Sequence, residues 1–267
     1  MSNRPRALIT NDDGIDSPGL AALAKAVADA GYEVTIAAPA SQSSGTSASL
    51  TATDGGGRIN VHKREPGDYV AVYAVEATPA LITLLAVNGG FGGRPDLVVS
   101  GINHGANVGH AVLHSGTLGA ALTAAYHGIT ALAVSLDVPL TPVDPLRWDT
   151  AAELTKRLLP ELSGLPTGSA ANFNVPDLAL DEIKGVRTAR LADFGIVQIS
   201  LAETGEDFLR TQIAESTDTF AEDSDAALLN DNYATITAIN AITAVPFTPR
   251  ITRLGLEALS TSTEVGS

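Results

Sequence analysis

The stretch "TNDDGIDSPG" (10–19) sets Asp12 and Asp13 side by side, directly after an apolar run and directly before a glycine. Adjacent carboxylates repel, so a fold that gathers both into one pocket must bring a cation or keep a proton there. Two further stretches carry oxygen-bearing side chains. "APASQSSGTSAS" (38–49) is crowded with hydroxyls around Ser44 and Gly45, and "GINHGANVG" (101–109) holds Asn103, His104 and Asn107 among three glycines. Asp12, Asp13, Ser44 and Asn103 all offer oxygen, and an oxygen-only set suits a hard divalent cation such as Mg2+, Mn2+ or Ca2+. A lone "NDDG" reads equally well as an Asx-turn capping a helix. The recurrence of such loops behind three separate strands points to a site.

"HSGTLGAALTAAY" (114–126) adds a helix start at Ser115, Gly116 and Thr117, whose N–H groups could hold a phosphate, although the motif alone describes any capped helix. His104, His110 and His114 are spaced by six and four residues and do not match HExxH, so they read as facing substrate or solvent. His104 and His114 are candidates for acid–base or phosphate contact. "DFG" (193–195) lacks every other kinase element and carries no reading.

These loops need strands and helices to position them. "ALIT" (7–10), "YEVTIAAP" (32–39), "PDLVVSGIN" (95–103) and "TALAVSL" (130–136) read as buried strands. "RINVHK" and "YVAVYAVEA" alternate like a hairpin. Helices are predicted after Ser17-Pro18 and Thr78-Pro79, each with an N-cap and a proline at the first position, and over 116–127 and 148–162. Strands alternating with such helices imply an α/β, Rossmann-like, doubly wound and mostly parallel sheet. Ligands then collect beyond the carboxyl ends of the strands, where all three loops lie. After residue 165 the pattern turns to hairpin-like strands. The expected division is a Rossmann-like catalytic core (1–165), a C-terminal part completing the sheet with an oligomerisation arm (166–253), and a polar tail (254–267).

Composition narrows the functions. Thirty acidic residues against 16 basic ones give a net charge of −14, which argues against a nucleic-acid polymer or an anionic membrane as partner. A small phosphorylated substrate is compatible if a metal or helix N-termini offset the repulsion. The absence of cysteine excludes disulfides, thiolate zinc sites and thiol nucleophiles. With no apolar run of about 18 residues and no secretory leader, a cytoplasmic protein is expected.

The stretches "LITNDDGIDSPGLAALAKAV", "VTIAAPASQSSGTSASLT", "DLVVSGINHGANVG" and "HSGTLGAALTAAYHGITALAVSL" together resemble the SurE family of survival-protein nucleotidases. Weaker echoes follow in "NFNVP" (172–176) and "SDAALLNDNYATITAI" (224–239). The resemblance implies a metal-dependent phosphatase acting on nucleoside 5'- and 3'-monophosphates, with Asp12, Asp13, Ser44 and Asn103 holding one divalent ion per subunit. It also implies a homodimer or homotetramer that exchanges C-terminal elements. The chain departs from the family pattern at His110, His114 and Thr123, where an acidic residue, a tyrosine and a glutamate are common.

The reaction expected is hydrolysis of a phosphate monoester by a metal-activated water, with Asp12 or Asp13 also accepting a proton. Asn11, Ser44, Gly45, Asn103, His104, Asn107 and Ser115–Thr117 would surround the phosphate and substrate. Alternatives are a specialised small-molecule phosphatase on the same scaffold, or a non-catalytic nucleotide- or metal-binding module. After the first strand an aspartyl-phosphate enzyme wants a DxD pair two apart, where this chain has adjacent aspartates, and a dinucleotide oxidoreductase wants GxGxxG, which is missing there.

Overall fold

The computed structural model describes residues 4–52, 57–139, 141–142, 144–195, 197–205, 207–215 and 219–240, and as far as Leu158 strands alternate with helices except where three strands follow one another between Glu33 and Val75. The order begins β1 (Arg6–Thr10), α1 (Pro18–Asp29), β2 (Glu33–Pro39), β3 (Val61–Arg64), β4 (Ala71–Val75) and α2 (Pro79–Val87). It continues with β5 (Leu97–His104), a short 3-10 helix (Gly109–His114), α3 (Gly116–Tyr126), β6 (Thr130–Asp137) and α4 (Trp148–Leu158). Then come β7 (Ser169–Pro176), β8 (Val186–Thr188), β9 (Val197–Thr204), β10 (Leu209–Glu215), α5 (Asp225–Asn230) and β11 (Ala234–Asn240).

Nine strands make one sheet in the order β3-β4-β2-β1-β5-β6-β7-β11-β8. The six from β4 to β7 run parallel; β3 closes one edge antiparallel to β4, and β11 returns antiparallel to β7. β9 and β10 form a separate antiparallel hairpin. Successive strand residues point to opposite faces. Ile9, Val99, Leu132 and Phe173 therefore pack beside Leu23 and Val27 of α1 and Leu154 of α4. Leu8, Val98 and Ala131 pack on the other face against Ile82 of α2 and Leu118 of α3. The polar tail expected over 254–267 lies outside the described residues.

The chain runs outward from β1 to β2 on one side and to β5 on the other, so a crevice opens at their carboxyl ends. Ser17 caps α1 by accepting from Leu20 N at 3.2 Å, with Pro18 at the first helical position. Thr78 behaves differently from expectation. It occupies the N-cap position of α2, but its hydroxyl donates to the Ser49 carbonyl, tying the serine-rich loop to that helix. Gly101 sits at φ +136°, and a Cβ there would lie 2.2 Å from the Val134 carbonyl. That irregularity shifts the register of β5 between Ser100 and Asn103, just where the strand enters the crevice.

Candidate active site

Asp12 follows β1 directly and is 5% exposed. Its Oδ1 accepts a 2.5 Å hydrogen bond from the Thr117 hydroxyl at the start of α3. Gly116 stands against the same carboxylate: a Cβ there would approach Asp12 Oδ2 to 2.8 Å. The Asp12 carbonyl receives Ser43 N at 2.8 Å, which fastens the loop after β2 to the loop after β1. Burial pushes the Asp12 carboxyl up to about 6, against the bond from Thr117 and with help from the Asp13 charge. Asp13 is less enclosed, and its Oδ2 accepts the His104 backbone N–H at 3.1 Å. Its carboxyl is also raised, chiefly by burial, with the His104 bond pulling the other way.

Both aspartates line a cleft of about 750 Å³ together with Ser44, Gly45, Asn103, His104, Asn107, His114 and Ser115. Three strand-end loops and the start of α3 thus share one opening. Asn103 donates its amide to the Gly105 carbonyl at 2.7 Å, leaving its side-chain oxygen for another partner. Asn107 is anchored by its amide to Ser135 Oγ and by its N–H to Asn174 Oδ1, both at 2.8 Å. Its carbonyl in turn receives the amides of Asn172 and Asn174. Asn11 is fully buried and bonds Gly14 and Ser17, so it braces the loop rather than lining the cleft. Gly116 and Thr117 likewise sit behind Asp12 and support it.

Several cleft residues carried no sequence signal. Ile15, Asp16, Gln42 and Trp148 all line it. Asp16 is held by a bidentate ion pair with Arg64 of β3. Trp148 could have been flagged, because it opens a helix that follows a strand end in the half of the sheet forming the crevice. Asp225 is another. Fully buried, it accepts Gly109 N and Ala192 N at 2.9 and 2.8 Å and so fixes the 3-10 helix that walls the cleft.

Among the described residues no group of three or more His, Cys, Asp and Glu side chains is assembled to hold a metal. Nor is any helix among them long and apolar enough to cross a membrane. Residues 7–196 match the family model of the survival protein SurE. The chain belongs to the SurE family. It is 44% identical over 187 residues to the 5'/3'-nucleotidase SurE of Klebsiella pneumoniae (strain 342), covering 69% of each chain. It is 42% identical over 188 residues to the 5'-nucleotidase SurE of Marinomonas sp. (strain MWYL1), covering 70% of each. The crystal structure of the SurE protein from Aquifex aeolicus superposes with a TM-score of 0.71 at 29% identity, covering 88% of this chain and 93% of that one.

His110, His114 and Thr123, the positions singled out in the sequence, separate in space. His114 lines the cleft with the aspartates. His110 and Thr123, by contrast, line a neighbouring apolar cleft of about 610 Å³ among Leu50, Leu113, Leu122 and Tyr126. His110 therefore does not border the main cleft, because the 3-10 helix turns it to the far side of the wall that His114 faces.

Proposed function

We propose that this SurE chain is a divalent-metal-dependent phosphatase whose substrates are nucleoside 5'- and 3'-monophosphates. The observation that carries the reading is the pair Asp12 and Asp13, both raised by burial and both opening into one cleft beyond the switch in strand order. Relatives over two thirds of the chain bear the name 5'/3'-nucleotidase, which supports the substrate class.

The donor set fits a hard cation. Two carboxylates with a hydroxyl and an amide oxygen leave positions for water and substrate, the pattern in which Mg2+ or Mn2+ is held by one or two carboxylates plus phosphate. Asp12, Asp13, Ser44 and Asn103 would hold one ion per subunit. When bound, such an ion neutralises phosphate charge and makes a water nucleophilic at neutral pH. The protein's share is then orientation and proton handling. Thr117 fixes the rotamer of Asp12, and the His104 N–H fixes that of Asp13, so neither carboxylate must reorganise as charge develops. Asp13, the less buried of the two, accepts the proton of the attacking water. Ser115 and His114 line the same cleft and are the groups we assign to the phosphate, and Asn107 holds the floor of the cleft in place.

Phosphate release from 5'- and 3'-mononucleotides, sugar phosphates and short polyphosphate, after EDTA and then with added Mg2+, Mn2+ or Ca2+, tests this. Metal-restored turnover of mononucleotides that is lost in Asp12→Asn is the expected result. Turnover confined to another ester would move the function to a specialised phosphatase, to which His114 would contribute. A folded protein that binds the ion and hydrolyses nothing would be a binding module.

A further inference from the structure

We propose that the indole of Trp148, with the His104 ring beside it, is the surface on which the nucleobase of a mononucleotide rests. The inference builds on the phosphatase reading and adds what recognises the part of the substrate that does not react.

Trp148 is the only tryptophan of the chain, and it lines the same cleft as Asp12 and Asp13. Its placement is fixed from below. Gly19, in the first turn of α1, has no side chain, and a Cβ there would lie 2.9 Å from Trp148 Cζ3. The indole edge therefore rests on helix backbone, and its orientation is set before any ligand arrives. The imidazole of His104 stands 6.2 Å away, centroid to centroid, tilted by 47°. His104 also joins the two ends of the cleft: its N–H bonds Asp13 while its ring faces Trp148. A mononucleotide places one sugar between phosphate and base, which matches a cleft whose carboxylate and indole are bridged by one residue.

Charge gives the second argument. No lysine or arginine is among the described residues lining the cleft, whereas Asp12, Asp13 and Asp16 are. Apart from the ion, no lysine or arginine there holds an anion, so affinity for the organic part of the substrate is assigned to uncharged contact. A base has a π face whatever its identity, and stacking on an aromatic side chain is tolerant of sequence and typically strong. Of the lining residues, Trp148 presents the largest such face. The predicted consequence is a preference for esters carrying a planar base over esters with sugar alone, with little discrimination among bases.

The test compares nucleoside 5'-monophosphate with ribose 5-phosphate on the metal-loaded protein. In Trp148→Ala the ratio of their kcat/KM values should fall about ten-fold, through KM of the nucleotide rather than kcat, and Trp148→Phe should recover most of it. Loss of activity on both substrates to the same degree in Ala, with no recovery in Phe, would mean that Trp148 only packs α4 against α1 and would overturn the proposal. A second measurement needs no turnover. With a single tryptophan, emission reports on this residue alone, so adenosine should quench it saturably in EDTA and ribose should not. Quenching with no hydrolysis of any ester would sink the phosphatase reading and leave the base platform standing. Nucleotide hydrolysis without quenching and with an unchanged selectivity ratio would do the reverse.

Discussion

Asp12→Asn should make the metal-free protein more stable while abolishing its metal-dependent activity. In the folded chain the Asp12 carboxyl lies at about 6 instead of its ordinary 3.8, because it is buried beside another carboxylate. The folded state thus binds the Asp12 proton more tightly than the unfolded state. Its ionisation is a cost to folding that is fully present above pH 6, shrinks as the pH falls towards 4, and is absent below the unfolded value. At about 1.4 kcal/mol per pH unit between the two values, the cost at neutral pH is about 3 kcal/mol, an upper bound for what the amide removes. For a chain of this size that corresponds to a rise in Tm of roughly 3–8 °C. Calorimetry in EDTA at pH 7.5 and again at pH 4.5 reads it: the variant should melt higher at pH 7.5, and the gap should narrow at pH 4.5. Saturating Mg2+ or Mn2+ should then raise the wild type, by about 2.7 kcal/mol at a hundred times Kd, and leave the variant unchanged. A variant less stable than wild type at pH 7.5, or a gap of the same size at both pH values, would show that Asp12 is not a charge the fold carries at a cost.

Three further perturbations probe the supports of the site. Thr117→Val keeps the shape of the side chain and removes the hydroxyl that holds Asp12; metal-dependent kcat/KM should fall about 10- to 100-fold, with the acid limb of the pH–rate profile moving upward. Gly116→Ala would push a methyl to 2.8 Å from Asp12 Oδ2, so metal affinity measured by titration calorimetry should weaken at least about ten-fold while the circular dichroism spectrum is retained. Asp225→Ala strips acceptors from three backbone N–H groups, of Gly109, Ala192 and Ala226, and should cost about 2–4 kcal/mol in urea denaturation.

The parallel half of the fold was legible because its signals are local. Ser17-Pro18 fixes the start of α1, and the apolar runs at 7–10 and 97–100 are too short for buried helices and too continuous for an exposed surface. The rule that ligands gather beyond strand ends then picked out the loops that meet in the cleft. What stayed hidden depends on contacts across long sequence separations. Thr78 has the right residue type for a cap, yet its hydroxyl finds Ser49, 29 residues away. The helix start at Gly116 and Thr117 reads in sequence as a place for phosphate, and nothing there signals that the Thr117 hydroxyl also holds Asp12, 105 residues earlier in the chain. Asn11 reads in sequence as a phosphate contact, but its amide closes the turn after β1 by bonding Gly14 and Ser17. Trp148 escaped notice because amphipathic spacing alone accounts for a tryptophan at the head of α4.

The lattice of Asn107, Asn172, Asn174 and Ser135 beneath the cleft is built wholly from amides and a hydroxyl. None of these groups gains or loses a proton between acid and alkaline conditions. The foundation of the site is therefore deaf to pH, and the pH response of activity originates at the rim, where burial raises the carboxyls of Asp12 and Asp13. A titration of activity therefore reads the rim of the cleft and not its floor.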